Sequence, residues 1–234
     1  MDNASVNDKM STLLEKMDFR ISEMAEWKFS AHEQRIRCSA HILHLCCTDA
    51  FLHFEPLLQR LRTFIKHLKL SPTKAVVFEA ICRSCIDCST NIPILDVVTR
   101  WNSTFEMLNR AIQLRQGIDA FTDQKDYLAY KLQECEWNTL IEVREFLEIF
   151  NYITQSITTN SPSTLSLIVP YYQRLIHHCC RYITPDNFIR CASLYEAAVA
   201  ACNKLEKYFD KVNCYPITGR LALPIISLPF WILV

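Results

Sequence analysis

Cys38 and His41 stand in a C-x-x-H spacing, half of a tetrahedral zinc site, with His44, Cys46 and Cys47 following as further donor types. Residues so close together on one helix cannot all point at one ion, so the pair reads as structural. Cys82, Cys85 and Cys88 give C-x-x-C-x-x-C, a spacing used for iron–sulfur ligation. No fourth ligand and no surrounding glycines accompany it, and thiols at a helix terminus are the expectation. Arg100-Trp101 puts a cation beside an indole in the turn entering a helix, where a chain can present both to a partner. A buried Trp beside a solvated Arg is the other reading of that pair. Between Glu55 and Glu79 there is no acid, while Arg60, Arg62, Lys66, Lys69 and Lys74 supply cations. Leu58, Leu61, Ile65 and Leu68 form one helix face there and leave Arg62, Lys66 and Lys69 on another. Such a face is either simply solvated or a track for phosphates.

The elements that must position these residues read as helices. Met10, Leu13, Leu14 and Met17 recur at helical spacing within 7–19, and Ile42, Leu45, Cys46 and Ala50 do so within 40–54. Arg35 to Ser39 is the best strand candidate. Helices are then expected at 56–69, 73–86, 102–121, 137–158, 164–183 and 188–212. Ser103 and Glu106 have the spacing of a capping box at the start of the third of these. Pro170 should kink or delay the helix it falls in, because it removes a backbone donor. Turn signals at Ser71-Pro72, Ser161-Pro162-Ser163 and Thr184-Pro185-Asp186-Asn187 separate the elements.

Composition excludes several classes. Lys plus Arg equals Asp plus Glu at 25 each, so no global basic field draws nucleic acid, and any DNA contact must come from a local patch. Gly117 and Gly219 are the only glycines, which disfavours P-loop and dinucleotide-binding enzymes. The 12 cysteines come with no charged-then-apolar leader and read as reduced thiols of an intracellular chain, nuclear or cytoplasmic. The run from Arg220 to Val234 is apolar but short and broken by Pro224 and Pro229, which is not the pattern of a membrane span.

Three segments in order carry a family resemblance. The opening Asp2-Asn3-Ala4-Ser5 with Asn7 and Asp8, the segment Arg37-Cys38-Ser39-Ala40-His41-Ile42-Leu43-His44-Leu45, and the segment Leu95-Asp96-Val97-Val98-Thr99-Arg100-Trp101-Asn102-Ser103-Thr104 together resemble the hAT (hobo-Activator) transposases. The similarity is to the plant and fungal type that carries a BED zinc finger. It continues more loosely through Trp137 to Thr164 and through Lys204 to Lys211.

The resemblance implies a mainly α chain. Residues 1–54 would be the C-terminal part of an RNase H-like α/β core, 55–214 an all-helical insertion domain, and 215–234 a divergent apolar tail. That tail reads as the end of a truncated or frame-shifted reading frame rather than a membrane-seeking segment. Transposases of this kind hold Mg or Mn between three carboxylates to cut DNA. Asp2 matches the second acid, as catalytic and metal-binding residue, whereas the first and third have no counterpart in these 234 residues. The expectation is therefore a catalytically inactive chain that does not bind the ion. DNA at transposon ends would be the partner, with no membrane and no small-molecule substrate, and the dimerisation segment and BED finger would be missing. Trp101 would stack on a flipped base, an interaction worth about 1–3 kcal/mol. Arg100 would touch phosphate, His41 would lie near the DNA, and Arg62, Lys66 and Lys69 would extend the contact. The competing readings are a domesticated helical protein-interaction module without DNA chemistry, and a relic that does not fold stably.

Overall fold

A computed structural model of the protein describes residues 5–21, 30, 38–86, 88, 92–158 and 164–213. Asp2, the strand expected from Arg35 and the tail at 215–234 lie outside the described residues, apart from Cys38 and Ser39. Ten α-helices run in the order α1 (Ser5–Ile21), α2 (Ser39–Leu52), α3 (Glu55–Lys69), α4 (Pro72–Ser84), α5 (Trp101–Gln113), α6 (Arg115–Thr122), α7 (Glu134–Thr158), α8 (Thr164–Tyr182), α9 (Pro185–Arg190) and α10 (Ala192–Asn213) among these residues. A 3-10 helix spans Lys125–Tyr130. No strand occurs among the described residues, so the architecture is mainly helical there. Ser39, the end of the expected strand, starts α2 instead.

Local chemistry explains where helices begin. Pro56 and Pro72 sit in the first turns of α3 and α4, where a missing N–H costs nothing. Thr184 caps α9 by accepting the Asn187 N–H, with Pro185 following it. Pro170 falls inside α8, and the helix continues through it. The single helix expected at 102–121 is two, because the chain leaves helical geometry at Leu114 (φ −100°, ψ 8°). The expected 188–212 helix is likewise broken, at Cys191.

The chain divides into two compact units, one drawn from within Met1–Cys46, Tyr152–Arg181 and Val199–Val234, the other from Cys47–Asn151 and Tyr182–Ala198. In the first, Ile42, Cys46, Val169, Tyr172, Leu175 and Leu205 are buried, and the Tyr172 ring stacks with Phe209 at 6.1 Å. In the second, α3, α4 and α6 each contribute a phenylalanine to one cluster. Phe64, Phe78 and Phe121 lie edge to face with centroids 5.8–6.1 Å apart. Each such pair adds about 0.5–1.5 kcal/mol beyond the area it buries. The long stripe of α7 is buried from Trp137 through Leu140, Val143, Phe146 and Leu147 to Phe150. Trp137 donates its Nε1–H to Asp119 Oδ1 of α6 at 2.8 Å, under the Arg115 guanidinium. Burial raises the Asp119 carboxyl above its usual range, against the opposing bonds from Trp137 and Arg115.

Candidate nucleic-acid interface

All the geometry of this site lies in the second unit, on α3, α5 and the extended segment between α4 and α5. That segment runs back along α3. Ile92 and Pro93 share an apolar cavity of about 130 Å³ with Leu68 and Lys69 near the end of α3, while Asp96 meets Arg62 two turns earlier. Arg110 of α5 ties the segment's start by donating to the Ile92 carbonyl at 3.0 Å.

Asp96 is the anchor. Its carboxylate side chain is 1 % exposed, and the Arg62 side chain 4 %. Arg62 Nε donates to Oδ1 and Oδ2 at 3.1 and 3.0 Å, and Nη2 lies 2.9 Å from Oδ2. Thr104 Oγ1 donates to Oδ2 at 2.7 Å from the first turn of α5. On its other side Arg62 Nη1 reaches both Glu55 oxygens, at 3.0 and 3.1 Å. Burial by itself would lower the Arg62 pKa, but the bonds and charges of Asp96 and Glu55 outweigh it and hold the guanidinium firmly protonated. One cation is thereby shared between two acids, and every atom of the fork that faces inward is occupied.

The turn after Asp96 is fixed by Ser103. Its hydroxyl lies 2.8 Å from the Val97 carbonyl and 2.7 Å from the Arg100 carbonyl, and it accepts the Val97 N–H at 2.9 Å. Ser103 is therefore not the cap of a box with Glu106. The helix starts earlier, at Trp101, with Arg100 in extended geometry as its N-cap residue. A serine within the first turn can bond back to the loop, and here that option wins over capping.

Two of the expected contact residues face inward. Trp101 is 3 % exposed and packs its indole against Phe105 at 6.4 Å, so neither ring face is open to a base. Arg62 is buried in the ion pair just described rather than lying on the solvent face with Lys66 and Lys69. The reason is register. Arg62 is four residues after Leu58 and three before Ile65, which puts it on the apolar stripe itself. Lys66 and Lys69 are exposed, as is Arg100, and these three hold no ion pair among the described residues. The other cations of the acid-free stretch are engaged. Arg60 pairs with Glu136 at 2.9 Å, and Lys74 approaches His67 and the Tyr127 ring. His41 is half-buried in the first unit with its ring 6.0 Å from that of His44, whose pKa is lowered by burial and then by the His41 charge. Among the described residues no group of three or more His, Cys, Asp or Glu is placed to hold a metal ion. Asp2 lies outside the described residues.

Sequence reasoning named the segment around Arg100 but gave Asp96, Thr104 and Glu55 no role. An acid in an otherwise apolar Leu-Asp-Val-Val run, eight residues ahead of a threonine in a helix's first turn, was the available signal.

Residues 36–146 match the family model described as the ZBED1 RNase-like helical domain. The chain is 24 % identical over 217 residues to the Zea mays protein named "Putative AC transposase", covering 91 % of this chain and 26 % of that protein. It is 26 % identical over 132 residues to Zinc finger BED domain-containing protein RICESLEEPER 2 of Oryza sativa subsp. japonica, covering 56 % of this chain and 18 % of the relative. A shorter stretch of 87 residues is 32 % identical to the Talaromyces stipitatus protein named "Putative transcriptional regulator tpeD", covering 37 % and 10 %. The chain thus spans about a quarter or less of the length of these relatives. No solved structure matches it.

Proposed function

We propose, from the premise that this chain is a hAT-type transposase-like protein, that its second unit is a DNA-contacting helical module whose contacts are made by Arg100, Lys66 and Lys69. The observation that carries this reading is the exposed Arg100 on a turn immobilised by the buried Asp96–Arg62–Thr104 network and by Ser103. Phosphate contact needs a cation held in place, and a turn anchored on both sides supplies one at low entropic cost. Lys66 and Lys69 lie further along the helix that holds Arg62, and the segment bearing Arg100 lies against that helix. Trp101 and Arg62 serve as framework in this reading, and His41 supports the first unit's α2.

The 234-residue polypeptide by itself is proposed to be inactive in strand cleavage, because Asp2 alone matches one of the three acids that the resemblance implies. Nicking of duplex DNA in Mn²⁺, compared with Asp2→Ala, tests that half, and Asp2-dependent nicking would overturn it. The binding half is tested by fluorescence anisotropy with a labelled duplex and a hairpin carrying an unpaired base, across a salt series. Binding that weakens steeply with salt, and loses part of that slope in Arg100→Ala and Lys66→Ala/Lys69→Ala, is expected. Salt-insensitive binding, or unchanged affinity in both variants, would remove it. A nuclear location follows from this reading and is tested by fractionation. No helix among the described residues is long and apolar enough to cross a membrane.

The second reading, a protein-interaction module without DNA chemistry, is favoured by one observation. Val76 lines the 130 Å³ apolar cavity at 65 % exposure, and Ile92 borders it at 73 %. Absence of DNA binding at low salt would move that reading ahead.

A further inference from the structure

The C-x-x-C-x-x-C thiols are not equivalent in the fold. Cys82 ends the buried face of α4 at 2 % exposure, whereas Cys88 is only half-buried. Gly117 of α6 faces both. A β-carbon placed on Gly117 would lie 2.3 Å from Cys82 Sγ and 3.1 Å from Cys88 Sγ, so the two sulfurs crowd the hollow left by one missing side chain. Cys85 follows the end of α4, with its backbone N–H bonded to the Cys82 carbonyl at 3.2 Å. Burial, then the contact with Cys88, pushes the Cys82 thiol up to about 12. Of the two sulfurs in the hollow, Cys88 belongs to the half-buried residue and Cys82 to the buried one.

We propose that Cys82 and Cys88 form a dithiol oxidation site that closes to an intramolecular disulfide by exchange with a small disulfide such as oxidised glutathione. In the first step the Cys88 thiol loses its proton, and the thiolate attacks one sulfur of the glutathione disulfide. That S–S bond breaks, and one glutathione leaves as a thiolate that takes up a proton. In the second step Cys82 Sγ, deprotonated in turn, attacks Cys88 Sγ, the mixed disulfide breaks, and the second glutathione leaves and is protonated. Two electrons pass from the cysteine pair to the reagent, and two thiols are released for the two consumed. Closure fastens Cys88 to α4 just ahead of the segment that carries Asp96 and Arg100.

The experiment treats the whole chain with oxidised glutathione, quenches by alkylation and maps linked peptides by mass spectrometry. A Cys82–Cys88 link is expected in the wild type and in Cys85→Ser, reversible by dithiothreitol. In the folded chain it should exceed the Cys82–Cys85 and Cys85–Cys88 links by at least about tenfold, as two thiols preset against each other require, and that preference should vanish in urea. Cys88→Ser, at a half-buried position, should stay folded by far-UV circular dichroism and leave Cys82 fully alkylatable after unfolding. A glutathione adduct that persists on Cys88 while Cys82 stays reduced would overturn the proposal. So would a dominant Cys82–Cys85 link, or equal pairing in folded and unfolded chains.

Discussion

Replacing Asp96 by alanine removes, in one step, the carboxylate facing a guanidinium whose side chain is 4 % exposed and the acceptor of the Thr104 hydroxyl. Breaking a buried ion pair from one side costs about 3–5 kcal/mol, because the remaining charge stays desolvated. Glu55 still holds Arg62 Nη1 at 3.0 Å, and its side chain is 49 % exposed, so the remaining cation keeps one screened partner. The lower end, about 3 kcal/mol, is expected. Against a total of about 5–15 kcal/mol for a domain, that is a large fraction. It lowers the folded-to-unfolded ratio by roughly a hundredfold. Urea unfolding followed by far-UV ellipticity should show the midpoint falling by about 1–3 M at unchanged slope. The apolar double replacement Arg62→Met with Asp96→Leu should recover most of the loss, since no charge is then left buried. A loss below about 1 kcal/mol for Asp96→Ala, or strict additivity of the two single replacements, would refute the reasoning.

Trp101→Ala should destabilise the chain by about 3–5 kcal/mol, as deletion of a buried indole does, and should weaken binding to paired and unpaired DNA alike once measured below the unfolding midpoint; a selective loss for the unpaired substrate would contradict its placement. Thr104→Val keeps the shape of its site but loses the bond to Asp96, at about 1.5–3 kcal/mol for a hydrogen bond to a charged group, readable as a lower melting temperature. The Asp119 carboxyl, raised by burial, binds its proton more tightly folded than unfolded. Its contribution to stability is therefore present at low pH and is lost as pH climbs from about 4 through the raised value. Asp119→Asn, which can still accept from Trp137, should flatten that fall in urea midpoints measured across pH, and an unchanged pH profile would show that burial of Asp119 carries no such cost.

The helical architecture was legible because apolar residues recur at helical spacing over several turns, as in α7, where Trp137, Leu140, Val143, Phe146, Leu147 and Phe150 are buried. The break at Leu114 was not legible. The apolar stripe continues across it from Leu108 through Ile118 to Phe121, and nothing in the residue types marks where one helix stops. The segment from Leu95 to Thr104 was legible as the important one, but its division of labour was not. Arg62 and Asp96 are 34 positions apart, and a buried ion pair at that separation leaves no local pattern. Arg62 is expected on a face apart from Leu58 and Ile65, but its spacing of four and three residues from them places it inward. Trp101 and Arg100 divided as one indole buried and one guanidinium exposed, the plainer of the two outcomes that the pair allowed.

Gly117 and Cys82 divide a single volume between two helices. In an eight-residue helix a glycine forfeits roughly 1 kcal/mol of propensity relative to alanine, and α6 accepts that loss so that a sulfur from α4 can occupy the space. The sulfur thus acts as a spacer that sets how closely the two helix backbones approach. Interiors this dense do not tolerate both positions growing together. Sequence drift at the two sites is therefore tied in size: a methyl group can appear on α6 where the residue facing it on α4 has shrunk, and a helix pair built this way changes by exchange of bulk across the contact rather than by independent steps.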